Sequence, residues 1–100
     1  MTLIYITCKD EEEAVKISKH LLDKRLIACS NMYPIRSMYR WQGKLQDEKE
    51  FVIMTKTKEK NYGKIKEEVK KIHSYDTPCI LKIDAEANEI YDKWVNEEIK

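Results

Sequence analysis

An α+β sandwich, with one four-stranded antiparallel sheet and two helices on one of its sides, is predicted by three observations in this 100-residue chain. Strand-period and helix-period hydrophobic patterns succeed one another in the order βαββαβ, followed by one further helical stretch. A Gln42-Gly43 pair lies between two long strand-like runs and marks a hairpin. The first and third strand-like runs carry apolar residues on both faces, so helices on one side alone leave a face uncovered. Together these describe a ferredoxin-like split-βαβ domain over residues 1–100, with a long hairpin arm and an extra C-terminal helix.

Each element has its own local reason. "TLIYITC" (2–8) is β-rich, with Leu3 and Tyr5 on one face and Ile4, Ile6 and Cys8 on the other. Asp10 supplies an N-cap and Glu13 the reciprocal capping-box position. Ala14, Ile17, Leu21 and Leu22 then recur at helical spacing, predicting a helix from about Glu11 to Lys24, with His20 beside its apolar stripe as a surface residue. "LIACSNM" (26–32) reads as a strand interrupted by Pro34, and Cys29 within it as a core residue. In "IRSMYRW" (35–41), Ile35, Ser37, Tyr39 and Trp41 alternate with Arg36, Met38 and Arg40. After the turn, "EFVIMTKT" (50–57) returns. Tyr62, Ile65, Val69 and Ile72 predict a second helix over 59–73, "CILKI" (79–83) a short strand, and Asn88 a cap for a last helix carrying Tyr91, Trp94, Val95 and Ile99.

Composition excludes more than it identifies. With 19 basic and 18 acidic residues the formal net charge is +1, so no global field draws the chain to nucleic acid or to an anionic membrane. The N-terminal apolar run is too short for a leader or a membrane span, which predicts a cytoplasmic protein. Three cysteines without a CxxC pair argue against a disulfide framework. Phosphate-cradling loops, HExxH and GxSxG are absent, and no nucleophile–base pair stands out, so the expectation is a protein that is not an enzyme. The βαββαβ order also occurs in RNA-binding domains, but the aromatic RNP pattern and a basic sheet face are missing. The uncovered apolar face and the aromatic arm call for a second copy of the chain.

Four stretches, "YITCKDEEEA", "LIACSNM", "SMYRWQGK" and "HSYDTP", stand in the order and at the spacing of the CutA divalent-ion tolerance family, which the chain resembles from Ile4 to about Val95. The resemblance implies a non-catalytic, PII-like homotrimer in which the hairpin arms pack on neighbouring subunits. It also implies a link to copper or another divalent cation such as zinc, with no organic cofactor and with metal ions and its own copies as partners. His73 matches the position of a proposed metal-binding histidine, whereas Ile72 stands where some members have a second one and Ser74 replaces the usual proline. The proposed ligand cysteine of the family falls nearer Ile6 than Cys8.

His73, Cys79 and Cys8 are the candidate metal ligands, since imidazole and thiolate suit copper and zinc. Locally, "KIHSYDTPC" equally describes a helix end running into a strand. His73 sits at the helix C-terminus, Thr77 is pushed to extended geometry by Pro78, and Cys79 points with Leu81 and Ile83 toward an apolar face as a core residue. Tyr39, Trp41 and Tyr75 read either as subunit packing or, with Lys56, as a cleft between subunits for a small anionic ligand. The alternative function is accordingly a PII-like regulatory trimer that binds a small ligand and docks on a protein partner.

Overall fold

The computed structural model describes residues 1–100 in the order β1 (Thr2–Cys8), α1 (Glu11–Asp23), β2 (Cys29–Trp41), β3 (Lys44–Thr57), α2 (Tyr62–Ile72), β4 (Ile80–Asp84) and α3 (Glu89–Glu98). A short 3-10 turn, Glu59–Asn61, leads into α2. The sheet has the order β2-β3-β1-β4 and every neighbouring pair is antiparallel. This is the ferredoxin-like arrangement, with β1 and β3 at its centre.

Alternation in β1 sorts the two sides of the sheet. Thr2, Ile4, Ile6 and Cys8 are buried under the helices, and Leu3, Tyr5 and Thr7 face the other way half-covered. The helix side closes a core of eleven residues, among them Ile4, Ile6, Ile17, Leu21, Ile53, Ile65 and Val69. Burying each of these large side chains contributes about 1.5–3 kcal/mol. On the opposite side β1 registers Leu3 with Ile83 and Tyr5 with Leu81, both exposed. Leu81 and Ile83 therefore do not point into the core of the subunit.

The hairpin is one uninterrupted ladder from Cys29↔Lys56 to Trp41↔Lys44. Pro34 does not break β2, because β2 is an edge strand and the proline's missing N–H can face outward there. Gln42 and Gly43 turn the chain with φ of 51° and 79°, the left-handed pair that a two-residue hairpin requires. Beyond Ile35 the arm is a two-stranded ribbon. Arg36 grips Asp47 through two hydrogen bonds of 2.8 and 2.6 Å across it. Helix α1 ends in a Schellman motif without glycine: Arg25 takes a φ of 55°, Leu26 N–H bonds the Leu21 carbonyl and Arg25 N–H that of Leu22.

Two further expectations change here. His20 is not a bystander on the surface of α1, since its Nε2 lies 2.9 Å from Glu68 Oε1 on α2. Cys29 is half-buried at the first residue of β2 rather than in the core.

Glu68 joins α1 to α2. Its carboxylate is 4% exposed and receives His20 and, at 3.0 Å, Lys71, with Lys24 and Lys64 at 3.6 and 3.5 Å. Hydrogen bonds from His20 and Lys71 outweigh burial and bring its pKa down from 4.5 to about 2. A folded-state pKa below the unfolded one means the stabilisation is present above the unfolded value and is lost as pH falls through the folded value. Glu68→Gln should thus unfold at lower urea than the parent at pH 7. The gap between their midpoints should close between about pH 4.5 and 2, and a gap unchanged at pH 2 would remove Glu68 as its source.

Candidate functional site

At the edge where β1 ends, α1 begins and α2 runs toward β4, three side chains converge. One donor atom each from Cys8, Glu13 and His73 lies within 4.8 Å of the other two. Cys8 closes β1 on its buried face, Glu13 sits in the first turn of α1, and His73 follows the last residue of α2. The Asp10 carboxylate accepts the Glu13 N–H at 2.8 Å, and Glu13 Oε1 accepts the Lys9 N–H at 3.0 Å, so the reciprocal half of the capping box falls one residue ahead of the cap.

Glu13 does more than cap. Its second oxygen accepts the Ser74 N–H at 2.9 Å, tying α1 to the turn after α2. In the same turn His73 donates Nε2–H to the Thr7 carbonyl at 2.8 Å and accepts the Tyr75 N–H on Nδ1 at 3.0 Å. Burial alone would raise the Glu13 pKa, but the Ser74 and Lys9 hydrogen bonds and His73 hold it below its ordinary value. Burial, then the nearby carboxylates of Glu13, Glu50 and Asp10, push the Cys8 thiol up to about 12, so Cys8 is a neutral thiol at pH 7.

Imidazole, carboxylate and a potential thiolate fit a borderline ion such as Zn(II) or Cu(II) by type and by separation. A bound ion would replace the Cys8 proton and at least one hydrogen bond of Glu13 or His73. The structure thus brings together His73 and Cys8 of the expected ligands and adds Glu13. Cys79 is not among them: it lies half-buried just before β4, and burial followed by Glu50 raises its pKa.

The aromatic expectation divides differently. Tyr39, Trp41 and Tyr75 do line one cleft, of about 710 Å³, with Cys79 on its wall. Lys56 does not. It pairs with Cys29 at the opposite end of the hairpin, ten residues along β3 from the partner of Tyr39, or about 34 Å at strand rise. The charged walls of the cleft are instead Glu48, Glu50 and Asp76. Tyr39 donates to Glu48 at 2.6 Å and Tyr75 to Glu50 at 2.5 Å. The bond to Glu48 pushes the Tyr39 hydroxyl up to about 12; burial, and then Glu50, raises that of Tyr75 further. Within one chain, therefore, Lys56 and the aromatic cleft do not share a site.

Glu48 and Glu50 were findable. Counting outward from the Gln42-Gly43 turn places them opposite Ser37 and Ile35, on the face of Tyr39. Glu13 was not, because its partner Ser74 is 61 residues away and no local pattern joins them.

Comparison with known proteins follows the same lines. The family model of the CutA1 divalent ion tolerance protein matches residues 2–98. The divalent-cation tolerance protein CutA of Pyrococcus horikoshii is 44% identical over 101 residues, covering all of this chain and 99% of the relative. The crystal structure of CutA1 from Pyrococcus horikoshii superposes with a TM-score of 0.96 at 42% identity, over 100% of this chain and 99% of that one. That of the periplasmic divalent cation tolerance protein CutA from Archaeoglobus fulgidus gives a TM-score of 0.96 at 40% identity, over the whole of both chains.

The Archaeoglobus protein corrects the expected cytoplasmic location, since a relative of such close structure is described as periplasmic. The physical reason is that a short apolar N-terminal run carries no information on compartment. The finding that stands is narrower: no helix here is long and apolar enough to cross a membrane.

Glu13→Ala should cost about 2 kcal/mol of stability, because it leaves the Lys9 and Ser74 amides without their charged acceptor. Urea unfolding measures it, and amide exchange at Ser74 and Tyr75 should quicken in the variant. Unchanged stability and exchange would show that the turn holds without Glu13.

Proposed function

The chain belongs to the CutA1 divalent ion tolerance family, and on that premise we propose that it is a non-catalytic homotrimer that binds a divalent ion of the copper or zinc class through Cys8, Glu13 and His73. The observation that carries the metal reading is the convergence of these three donors within 4.8 Å, the one set of at least three such side chains that does so. Coordination would fasten the end of β1 to the starts of α1 and of the turn into β4, in place of the hydrogen bonds now holding them. A neutral, buried Cys8 makes the site a selective one, because only an ion that favours thiolate or imidazole repays its deprotonation.

Assembly is supported by the apolar surface that no helix covers. Tyr33, Leu81 and Ile83 on the open side of the sheet are 41, 50 and 40% exposed, and Trp41, on the same face of the arm, is 48% exposed. Copies of the same chain packed on this side would bury that surface, and closed rotational symmetry lets each arm reach the next subunit.

Native mass spectrometry of the reduced protein, titrated with Cu(II) and Zn(II), tests both parts. Three chains of 12.0 kDa should run as one complex near 36 kDa that takes up three ions. His73→Ala should keep that mass and lose ion uptake at least tenfold. Equal uptake by the two proteins would remove His73 from the site, and a monomer would overturn the assembly.

A further inference from the structure

Resting on the metal reading of Cys8, Glu13 and His73, we infer that the cluster is also a latch. The Tyr75 amide and an ion compete for the single lone pair of the His73 ring. The turn that carries Tyr75 is therefore freed when the ring serves an ion, and the base of the arm is freed with it.

The ring is fully committed as it stands. The Tyr75 N–H can only donate, so Nδ1, at 3.0 Å, holds the lone pair, and the ring proton is on Nε2, 2.8 Å from the Thr7 carbonyl. An imidazole in this tautomer has no second lone pair in its plane, and a metal ligand needs one. If Nδ1 serves the ion, it drops the Tyr75 N–H directly. If Nε2 does, its proton moves to Nδ1, the Thr7 carbonyl loses its donor, and Nδ1–H meets the Tyr75 N–H donor to donor. Both routes leave the Tyr75 amide without its acceptor. Glu13 differs, because a carboxylate oxygen that accepts an amide keeps a further lone pair. The exclusion lies at His73.

Tyr75 is where the change leaves the cluster. Its ring lies 4.9 Å from that of His73, and its hydroxyl donates to Glu50 at 2.5 Å. Glu50 is 6% exposed and stands opposite Ile35, where the hairpin leaves the sheet as a two-stranded ribbon. Tyr39 and Trp41 of the arm line the same cleft as Ser74 and Tyr75. One residue thus has its amide on the ion-binding ring and its hydroxyl at the root of the arm. Two discrete arrangements follow, latched on His73 or released from it, and a two-state element of this kind is what couples one place to another. Every bond in the relay lies within one chain, so neighbouring copies packed on the arm are not needed to form it.

Nuclear magnetic resonance of the reduced, full-length protein titrated with Zn(II) tests the latch. The nitrogen shifts of the His73 ring report its tautomer and its coordination, and without zinc they should show the Nε2–H form. On zinc uptake the Tyr75 amide should exchange about tenfold faster, although ligand binding as such slows exchange. By reciprocity, cutting the hydroxyl tether with Tyr75→Phe should raise zinc affinity about fivefold. Tyr75→Phe combined with Glu50→Gln should keep that gain, which separates release of the turn from the charge uncovered on Glu50. Coordination by His73 with exchange at Tyr75 unchanged or slowed would overturn the latch and leave the metal reading standing. So would equal or weaker zinc binding by Tyr75→Phe, or a gain that is lost in the double variant. No zinc uptake, or equal uptake by His73→Ala, would overturn both.

Discussion

One carboxylate, that of Glu13, joins the loop after β1, the first turn of α1 and the turn after α2, and the chemistry at that edge of the molecule hangs on it. Its two oxygens serve two backbone amides 65 positions apart in the chain, Lys9 and Ser74. With Ser74 held, His73 can bridge the Thr7 carbonyl and the Tyr75 amide, and Tyr75 is turned toward Glu50. His73 and the cleft wall are therefore placed by one polar contact, whereas Cys8 is placed by β1 and the hydrophobic core that ends at it. A charged acceptor suits this work, because hydrogen bonds to ionised groups are about twice as strong as neutral ones.

The two faces of the sheet divide the labour. The helix face closes on Ile4, Ile6 and Ile53 and supplies stability. The other face continues without a break onto the arm, from Leu3 and Tyr5 through Tyr33 and Ile35 to Tyr39 and Trp41, and changes from aliphatic to aromatic and acidic along the way. That gradient puts an apolar surface beside a charged cleft. The metal cluster lies at the end of β1 and adjoins that cleft: Ser74, bonded to Glu13, lines the cleft, and the ring of Tyr75 lies 4.9 Å from that of His73.

Most of the fold was legible because it is written in local periods. The alternation of "TLIYITC", the Asp10 cap of α1 and the Gln42-Gly43 turn each act within a few residues, and each appears as read. Where local signals misled, a partner distant in sequence decided the outcome. Pro34 looked like a strand end, but an edge strand tolerates it; Cys79 looked like core, but it sits ahead of β4 beside an acidic cleft. Lys56 was grouped with the aromatics in a cleft between subunits, and within one chain the hairpin register sends it to the far end. The site trio was only two-thirds visible, since Glu13 already had a sufficient local explanation as a cap. Metal-type residues can be recognised by kind, whereas their convergence is a property of the tertiary contacts that bring position 73 back to position 8.

The pairing of β1 between β3 and β4 also sets an order for building the molecule. On a ribosome β1 emerges first, yet its partner Thr57–Phe51 comes some fifty residues later and Ile80–Asp84 later still. The hairpin arm, whose strands are joined by two residues, can form as soon as it is made, while β1 waits with both edges open. A nascent chain of this design therefore carries its most apolar strand unpaired for the longest time. The acidic run Asp10–Glu13 immediately behind that strand places like charges beside it, which keeps neighbouring nascent chains from pairing through it.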